Sequence, residues 1–143
     1  IRRPPRSTPK PSSAASDVYK RQEFEHPKDE IIVYLNNQLF SWSLENIIKN
    51  SIDSIKDSGK VKISIVEENE YLKIYISDNG IGVKQSLKNK IFNPGVTTKE
   101  RGWGLGLSLS KRIIEEYHKG EIKLIESIVG QGTKMLIKLK AVK

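Results

Sequence analysis

Residues 61–82 read VKISIVEENEYLKIYISDNGIG, and this stretch decides the fold. Apolar and polar side chains alternate over Val61–Ile65 and again over Leu72–Ile76, with the polar residues 67–70 between the two runs. A period of two indicates strands that bury one face. The short polar connection predicts that the two strands form an antiparallel hairpin.

The second strand runs directly into Asp78-Asn79-Gly80-Ile81-Gly82. Two glycines at this spacing indicate a sharp turn and a close approach of the backbone to something else. An aspartate at this place is able to accept a hydrogen bond from the exocyclic amine of a base, and the glycines would let a planar ring reach the backbone. A plain Asp-Asn-Gly turn is the alternative, and this stretch alone does not decide between the two.

Outward from the hairpin, further elements complete a two-layer domain. The elements predicted from hydrophobic periodicity are a strand at 30–35, a helix at Gln38–Asp57, a helix at Leu105–His118, and strands at Glu121–Ser127 and Thr133–Lys140. The fold class is therefore α+β, a two-layer α/β sandwich with one mixed, mostly antiparallel sheet and helices on one face.

Polar side chains of the first predicted helix form one stripe. At 100° per residue, Asn50, Asp53 and Asp57 fall within about 40° of Asn46, and apolar residues such as Phe40 lie on the opposite side. Asparagine is a poor helix former, and solvated faces more often carry Glu and Lys. Neutral amide oxygens one turn apart suit a hard cation or phosphate oxygens. A solvated face is the alternative.

Three glycines open the second predicted helix in Gly102-Trp103-Gly104-Leu105-Gly106. Each glycine costs about 1 kcal/mol in a helix relative to alanine, so three of them need a reason. Backbone N–H groups at the positive end of a helix dipole bind phosphates, and a flexible hinge is the alternative. The long connection at 84–104, with threonines and Lys99, is typical of a lid that closes over phosphates.

Charge is concentrated at the N-terminus. The chain has 143 residues, no cysteine and a formal net charge of +8. Residues 1–22 hold six basic residues, one acidic residue and four of the six prolines, so removing their +5 from +8 leaves +3 for residues 23–143. We therefore expect residues 1–22 to be a disordered tail, and IRRPPRST and SSAASDVYKRQ resemble translated sequencing-adapter sequence. A basic arm for nucleic acid or membrane is the alternative.

The motifs together, in this order, resemble those of sensor histidine kinases. ENIIKNSIDSI, SDNGIGV, IFNPGVTTKERGWGLGLSLSKRIIEEYHKGEI and GQGT are similar to the asparagine box, the first glycine box, the phenylalanine and second glycine boxes, and the third glycine box of that family. These kinases belong to the gyrase–HSP90–histidine kinase–MutL superfamily. The resemblance covers about residues 31–140 and implies a Bergerat-type ATP-binding domain at 23–143.

The resemblance implies ATP and Mg²⁺ as ligands and assigns a role to each matching position. Asn50 would coordinate Mg²⁺, with Asn46 one turn back contributing, and these two would be the catalytic residues. At the adenine end, the implied contacts are Asp78 to the amino group, Gly80 and Gly82 along the ring, and Thr133 through water. Phe92 would anchor the lid. The implied phosphate-binding set is Lys99, Gly102, Gly104, Leu105 and Gly106.

Three departures from the family pattern limit what is carried over. Hydrolytic superfamily members place a glutamate where Asn46 stands, which favours a kinase over an autonomous ATPase. Many kinases carry lysine and tyrosine where Asp53 and Ser54 stand, so neither role is transferred. The histidine residues are His26 and His118 only, neither in a dimerisation-helix pattern, and we expect His118 to cap or pack.

We therefore expect a fragment that binds ATP but does not phosphorylate itself. In the full-length protein, the resemblance implies a dimerisation and phosphoacceptor domain, a response regulator as partner, a homodimer, and no nucleic acid. It implies a cytoplasmic position for this domain and leaves inner-membrane anchoring of the whole protein open. An autonomous ATPase, an anti-sigma-type serine kinase and an inactive nucleotide-binding module are the alternatives.

Overall fold

The computed structural model of the chain describes residues 20–25, 30–94 and 106–142. Its strands and helices, in chain order, are β1 (Lys20–Glu25), α1 (Asn37–Asp53), β2 (Gly59–Glu68), β3 (Tyr71–Asp78), α2 (Gly106–Arg112), β4 (Glu121–Ile128) and β5 (Gly132–Lys140). A 3-10 turn at Gln85–Leu87 precedes α2, and a π-helical turn at Ile113–Tyr117 follows it.

The five strands form one sheet in the order β1-β2-β3-β5-β4. β1 pairs in parallel with β2, and the other three neighbouring pairs are antiparallel. Leu72, Ile74 and Ile76 alternate along β3 and are buried on one face, where they cluster with Ile47 of α1 and with Ile114 after α2. The predicted α+β class is therefore confirmed, with a mixed, mostly antiparallel sheet and helices on one face.

Four of the predicted strands are found close to their expected bounds. The hairpin of β2 and β3 places Ile63 opposite Ile76, so the apolar residues of both strands share one face. β4 and β5 differ by one residue from the bounds predicted for the last two strands. Within the described part of the chain, none of the helices has the length and hydrophobicity that a bilayer crossing requires.

The strand beside β2 is not the one predicted from the sequence. Residues 30–35 are irregular, and β1 takes the place of the predicted strand at that edge. Ile31 is buried, and the carbonyl oxygen of Ile32 accepts from the N–H of Val142 at 2.7 Å, so the segment runs beside the chain end. The predicted strand at 30–35 is wrong. β1 also includes residues 20–22, which their composition assigns to the tail.

α1 ends at Asp53 and not at Asp57. The reason lies in Ser54, whose carbonyl oxygen accepts from the N–H of Ile81 at 3.0 Å instead of continuing the helix. The chain turns there, and Ile55 enters the core with 3% of its surface exposed. Asp57 is therefore not on the helix, and its predicted place on the asparagine stripe is wrong.

The second predicted helix is present from Gly106 onward, and Leu105 lies outside the described residues. It changes from α-helical to π-helical hydrogen bonding at Ile113. His118 follows the last turn, with Nδ1 2.8 Å from the carbonyl oxygen of Ile113 and Nε2 accepting from the N–H of Asn36 at 3.0 Å. The expectation that His118 caps or packs is confirmed.

Candidate functional site

Asp78 is the last residue of β3, and its carboxylate is half-buried. The N–H of Gly80 donates to Oδ1 at 2.9 Å. The hydroxyl of Ser54 lies between two acceptors, this Oδ1 at 3.2 Å and the carbonyl oxygen of Ser51 at 2.7 Å. Burial raises the pKa of Asp78, and hydrogen bonds from Gly80, Ser54, Ser51 and the backbone of Thr133 oppose this rise. These hydrogen bonds fix the carboxylate at the end of the sheet.

The glycines of the turn after β3 touch other parts of the protein. A Cβ on Gly80 would lie 2.6 Å from the carbonyl oxygen of Ser54, and a Cβ on Gly82 would lie 2.8 Å from the carbonyl carbon of Ile128. Gly82 also has a φ of 73°, which favours glycine. Both residues must therefore be glycine for the turn to pack on α1 and on the β4–β5 hairpin, in addition to any contact with a ring.

A buried hydroxyl joins this turn to the β4–β5 hairpin. Ser127 is 2% exposed, and its Oγ accepts from the N–H of Val83 at 2.8 Å. The same Oγ lies 2.9 Å from Oγ1 of Thr133. Thr133 is the partner of Asp78 in the register of β3 and β5. The structure thus places Thr133 beside Asp78.

Three residues of this arrangement were not singled out from the sequence. Ser54 stands where the family pattern has a tyrosine. This departure is the only feature of the sequence that could have drawn attention to its contact with Asp78. Ser127 carries no signal, because serine is common at strand ends. Gly132 could have been recognised, since it lies in the motif Gly-Gln-Gly-Thr. Its φ is 127°, and a Cβ at this position would lie 2.8 Å from Cα of Asn79.

Asn46 and Asn50 lie one turn apart on α1 and are half-buried. The prediction that they point directly away from the core is wrong, because α2 packs beside Asn46, whose Nδ2 donates to Oγ of Ser110 at 3.3 Å. Asp53 is the exposed member of the stripe. The buried face of α1, centred about a quarter turn from the asparagines, carries Phe40, Ser43, Ile47 and Ser51.

The polar groups follow one another along α1. Ser54, at its C-terminal end, contacts Asp78, while Asn50 and Asn46 lie one and two turns earlier. From Ser54 to Asn46 the helix rises about 12 Å, at 1.5 Å per residue. Asparagine oxygens together with phosphate oxygens are the hard neutral and anionic ligands that Mg²⁺ accepts. The arrangement therefore fits an elongated ligand with a base at Asp78 and phosphates beside the asparagines.

The segment before α2 is described in part. Phe92 packs against the core, and Nζ of Lys111 lies 5.1 Å from its ring centre. Phe92 and the outer side of α2 line a surface cavity of about 460 Å³. Gly106 opens α2. The other expected phosphate-binding residues, which lie outside the described residues, are Lys99, Gly102, Gly104 and Leu105.

The fold and this arrangement of side chains define a nucleotide-binding α/β domain. Comparison with known proteins gives its family: residues 38–143 match the family described as histidine kinase-, DNA gyrase B-, and HSP90-like ATPases. The chain belongs to this family, and ATP binding follows from that membership.

Histidine kinases are among its similar proteins. The nitrogen regulation protein NtrY of Azorhizobium caulinodans is 37% identical over 113 residues, which are 74% of this chain and 14% of that protein. The signal transduction histidine-protein kinase AtoS of Escherichia coli is 38% identical over 118 residues, 80% of this chain and 19% of that protein. The chain thus spans less than a fifth of the length of these relatives.

The fold is shared with solved kinase domains. The catalytic domain of histidine kinase ThkA is 27% identical and superposes with a TM-score of 0.72, covering 87% of this chain and 80% of that chain. Together with the family match, these similarities show that the chain is a catalytic ATP-binding domain of the histidine kinase type.

Proposed function

We propose that the chain binds Mg²⁺-ATP and that the full-length protein transfers the γ-phosphoryl group to a histidine of a dimerisation domain in two-component signal transduction. The continuity of the site carries this proposal. Asp78 is joined to α1 through Ser54, and Asn50 and Asn46 continue the polar path along the same helix. One bound nucleotide would reach Asp78, Asn50 and Asn46.

At the adenine end, Asp78 would accept a hydrogen bond from the exocyclic amine. The hydrogen bonds from Gly80 and Ser54 fix its Oδ1 before a ligand arrives, which reduces the entropy lost on binding. Gly80 and Gly82 would line the ring, and Thr133, bonded to Ser127, would bind it through water.

At the phosphate end, Asn50 and Asn46 would hold Mg²⁺ together with the phosphate oxygens. When bound, Mg²⁺ neutralises the charge of the phosphates. The backbone at Gly102, Gly104, Leu105 and Gly106, with Lys99, would complete the phosphate contacts, as the resemblance implies. Because phosphoryl transfer demands positioning and charge neutralisation more than covalent chemistry by the protein, these groups suffice for it.

Transfer to a protein acceptor is favoured over hydrolysis. Asn46 stands where a water-activating glutamate would be needed, and its amide is hydrogen-bonded to Ser110. The neighbouring Glu45 is exposed and about 100° around the helix from Asn46. Neither residue is placed to activate water at the phosphates.

The acceptor histidine is expected on another domain. His118 has both ring nitrogens engaged, by Asn36 and Ile113, so it is not available for phosphorylation. His26 lies outside the described residues. We infer that the partners are a dimerisation domain in the same protein and an aspartate of a response regulator, that the whole protein is a homodimer, and that this domain works in the cytoplasm.

Calorimetric titration of ATP into the 143-residue chain, with and without Mg²⁺, tests the proposal. We expect binding that Mg²⁺ strengthens in the wild type and no longer strengthens in Asn50→Ala. Asp57→Asn, an exposed acidic residue off the helix, is the control and should bind like the wild type. A folded wild type that binds no ATP would refute the proposal, and steady ATP turnover by the chain alone would favour an autonomous ATPase.

A further inference from the structure

Ser110 is a polar residue in the core that the sequence motifs did not single out. It lies on α2 with none of its surface exposed. Its Oγ accepts a hydrogen bond from Nδ2 of Asn46 across the α1–α2 contact, at 3.3 Å. A buried hydroxyl between two helices costs stability unless it is bonded, and here the bond goes to a side chain of the proposed metal site.

Gly106, one turn before Ser110 on α2, forms the other wall around the same amide. A Cβ on Gly106 would lie 2.6 Å from Nδ2 and 2.7 Å from Oδ1 of Asn46. The first turn of α2 therefore fits around the Asn46 side chain, with a hydroxyl at one position and no side chain at the other. The amide has little room to move sideways.

We propose that Ser110 is a positioning residue for the Mg²⁺ site, an inference that rests on the proposed function. The two ends of an asparagine amide are a donor and an acceptor, and a half-turn exchanges them. Because the hydroxyl oxygen of Ser110 accepts from Nδ2, this bond favours one of the two orientations of the amide. Ser110 thus holds the nitrogen of Asn46 and, with it, fixes which way the amide oxygen faces.

The hydrogen bond also gives α2 a way to influence the metal site. Residues 95–105, which include the glycines implied in phosphate binding, immediately precede α2 in the chain. A displacement of the first turn of α2 would move both Gly106 and Ser110 relative to Asn46. The orientation of a cation ligand is therefore coupled to the position of the helix that follows those glycines.

The test compares ATP affinity with Mg²⁺ and with EDTA for the full chain. In Ser110→Ala the amide of Asn46 loses its partner, and the Mg²⁺-dependent gain in affinity should fall by about two- to tenfold, the range that a single hydrogen bond supports. Affinity in EDTA should stay near that of the wild type. Ser110→Thr keeps the hydroxyl and should restore the gain.

Ser43→Ala is the matched control. Ser43 is also 0% exposed, but its hydroxyl donates to the carbonyl oxygen of Leu39 within α1, at 3.0 Å. Ser43→Ala and Ser110→Ala should therefore lower the thermal stability similarly, while only the second should change the Mg²⁺ dependence. Gly106→Ala, which would push directly on Asn46, should reduce the Mg²⁺ dependence even though alanine is the better helix former.

The outcomes separate this inference from the proposed function. A wild type without Mg²⁺-dependent ATP binding would refute both. A wild type with such binding, whose Mg²⁺ dependence persists in folded Ser110→Ala, would overturn the role of Ser110 alone. Equal losses with Mg²⁺ and with EDTA would likewise show that Ser110 only packs the helices together. If Ser110→Ala does not fold, Gly106→Ala and Ser110→Thr decide.

Discussion

Replacing Asp78 by asparagine should change which base the site accepts while the fold persists. The N–H of Gly80 donates to Oδ1 at 2.9 Å, and the hydroxyl of Ser54 lies 3.2 Å from the same oxygen. An asparagine would keep its carbonyl oxygen there, because the N–H of Gly80 can only donate. Its NH₂ must then occupy the position of Oδ2. The amine of adenine would then meet the NH₂ group of the new asparagine, and two donors cannot form a hydrogen bond with each other.

The expected magnitude follows from this mismatch. A buried donor left without an acceptor costs about 1–3 kcal/mol. This corresponds to roughly a 5- to 150-fold increase in the Kd for ATP. Inosine triphosphate carries an oxygen where ATP has the amine, so it would accept from the new NH₂. Its affinity for Asp78→Asn should therefore rise relative to the wild type as that for ATP falls.

Competition calorimetry of ATP against inosine triphosphate, on wild type and Asp78→Asn, measures both changes. Asp57→Asn removes an exposed carboxylate elsewhere and should alter neither affinity. Urea unfolding of each variant checks that the fold is retained. If ATP affinity is unchanged in folded Asp78→Asn, or if both nucleotides weaken equally, Asp78 does not read the base and the adenine end lies elsewhere.

Further predictions concern stability. Burial raises the pKa of Asp78 above its ordinary 3.8, so the contribution of Asp78 to the unfolding free energy should decrease as pH rises from 3.8 through the folded-state pKa. Urea unfolding across the acidic range should show this decrease in the difference between the wild type and Asp78→Asn. Gly82→Ala should cost more than the about 1–2 kcal/mol of a left-handed backbone, since its Cβ would also meet β4. Gly130→Ala, with a φ of 81° and nothing within 4 Å of its Cβ, should show the backbone cost alone. His118→Ala should lower the unfolding free energy by about 1–3 kcal/mol, because it removes a partner of Ile113 and of the α1 N-terminus, while ATP affinity stays unchanged.

The alternation of apolar and polar residues predicted the strands that bury one face, but it did not predict β1. Lys20–Glu25 reads KRQEFE and has little apolar surface to alternate. Ion pairs across the β1–β2 contact join Lys60 to Glu23 at 2.9 Å and Lys62 to Glu25 at 2.7 Å. Exposed ion pairs contribute little energy, and charged residues without an apolar alternation give no strand pattern in the sequence.

The end of α1 shows a different limit. Helical periodicity continued past Ser54, because Ile55 is apolar at the expected spacing. Ser54 leaves the helix because its carbonyl oxygen accepts from Ile81 in the turn after β3, and its hydroxyl lies beside Asp78 at the end of that strand. Those contacts are with residues more than twenty positions away, so no local pattern predicts them.

The buried serines were the part of the site that the sequence hid most completely. Ser51, Ser110 and Ser127 are at most 5% exposed, and each lies beside a residue that the motifs did identify, namely Asp78, Asn46 and Thr133. Hydropathy counts serine as polar and assigns it to the surface. A hydroxyl that is satisfied by a functional side chain can only be recognised once the two elements are packed together.

The glycines of the site are explained by packing as much as by a ligand. Gly80 lies against Ser54, Gly106 against Asn46, and Gly132 against Asn79, each at distances that leave no room for a Cβ. The three contacts join the end of α1 to the turn after β3, α2 to α1, and β5 to the same turn. Glycine is thus required wherever two elements must come close enough to bring Asp78 and the asparagines together. Any substitution there should disturb the packing around Asp78 and the asparagines even before nucleotide binds.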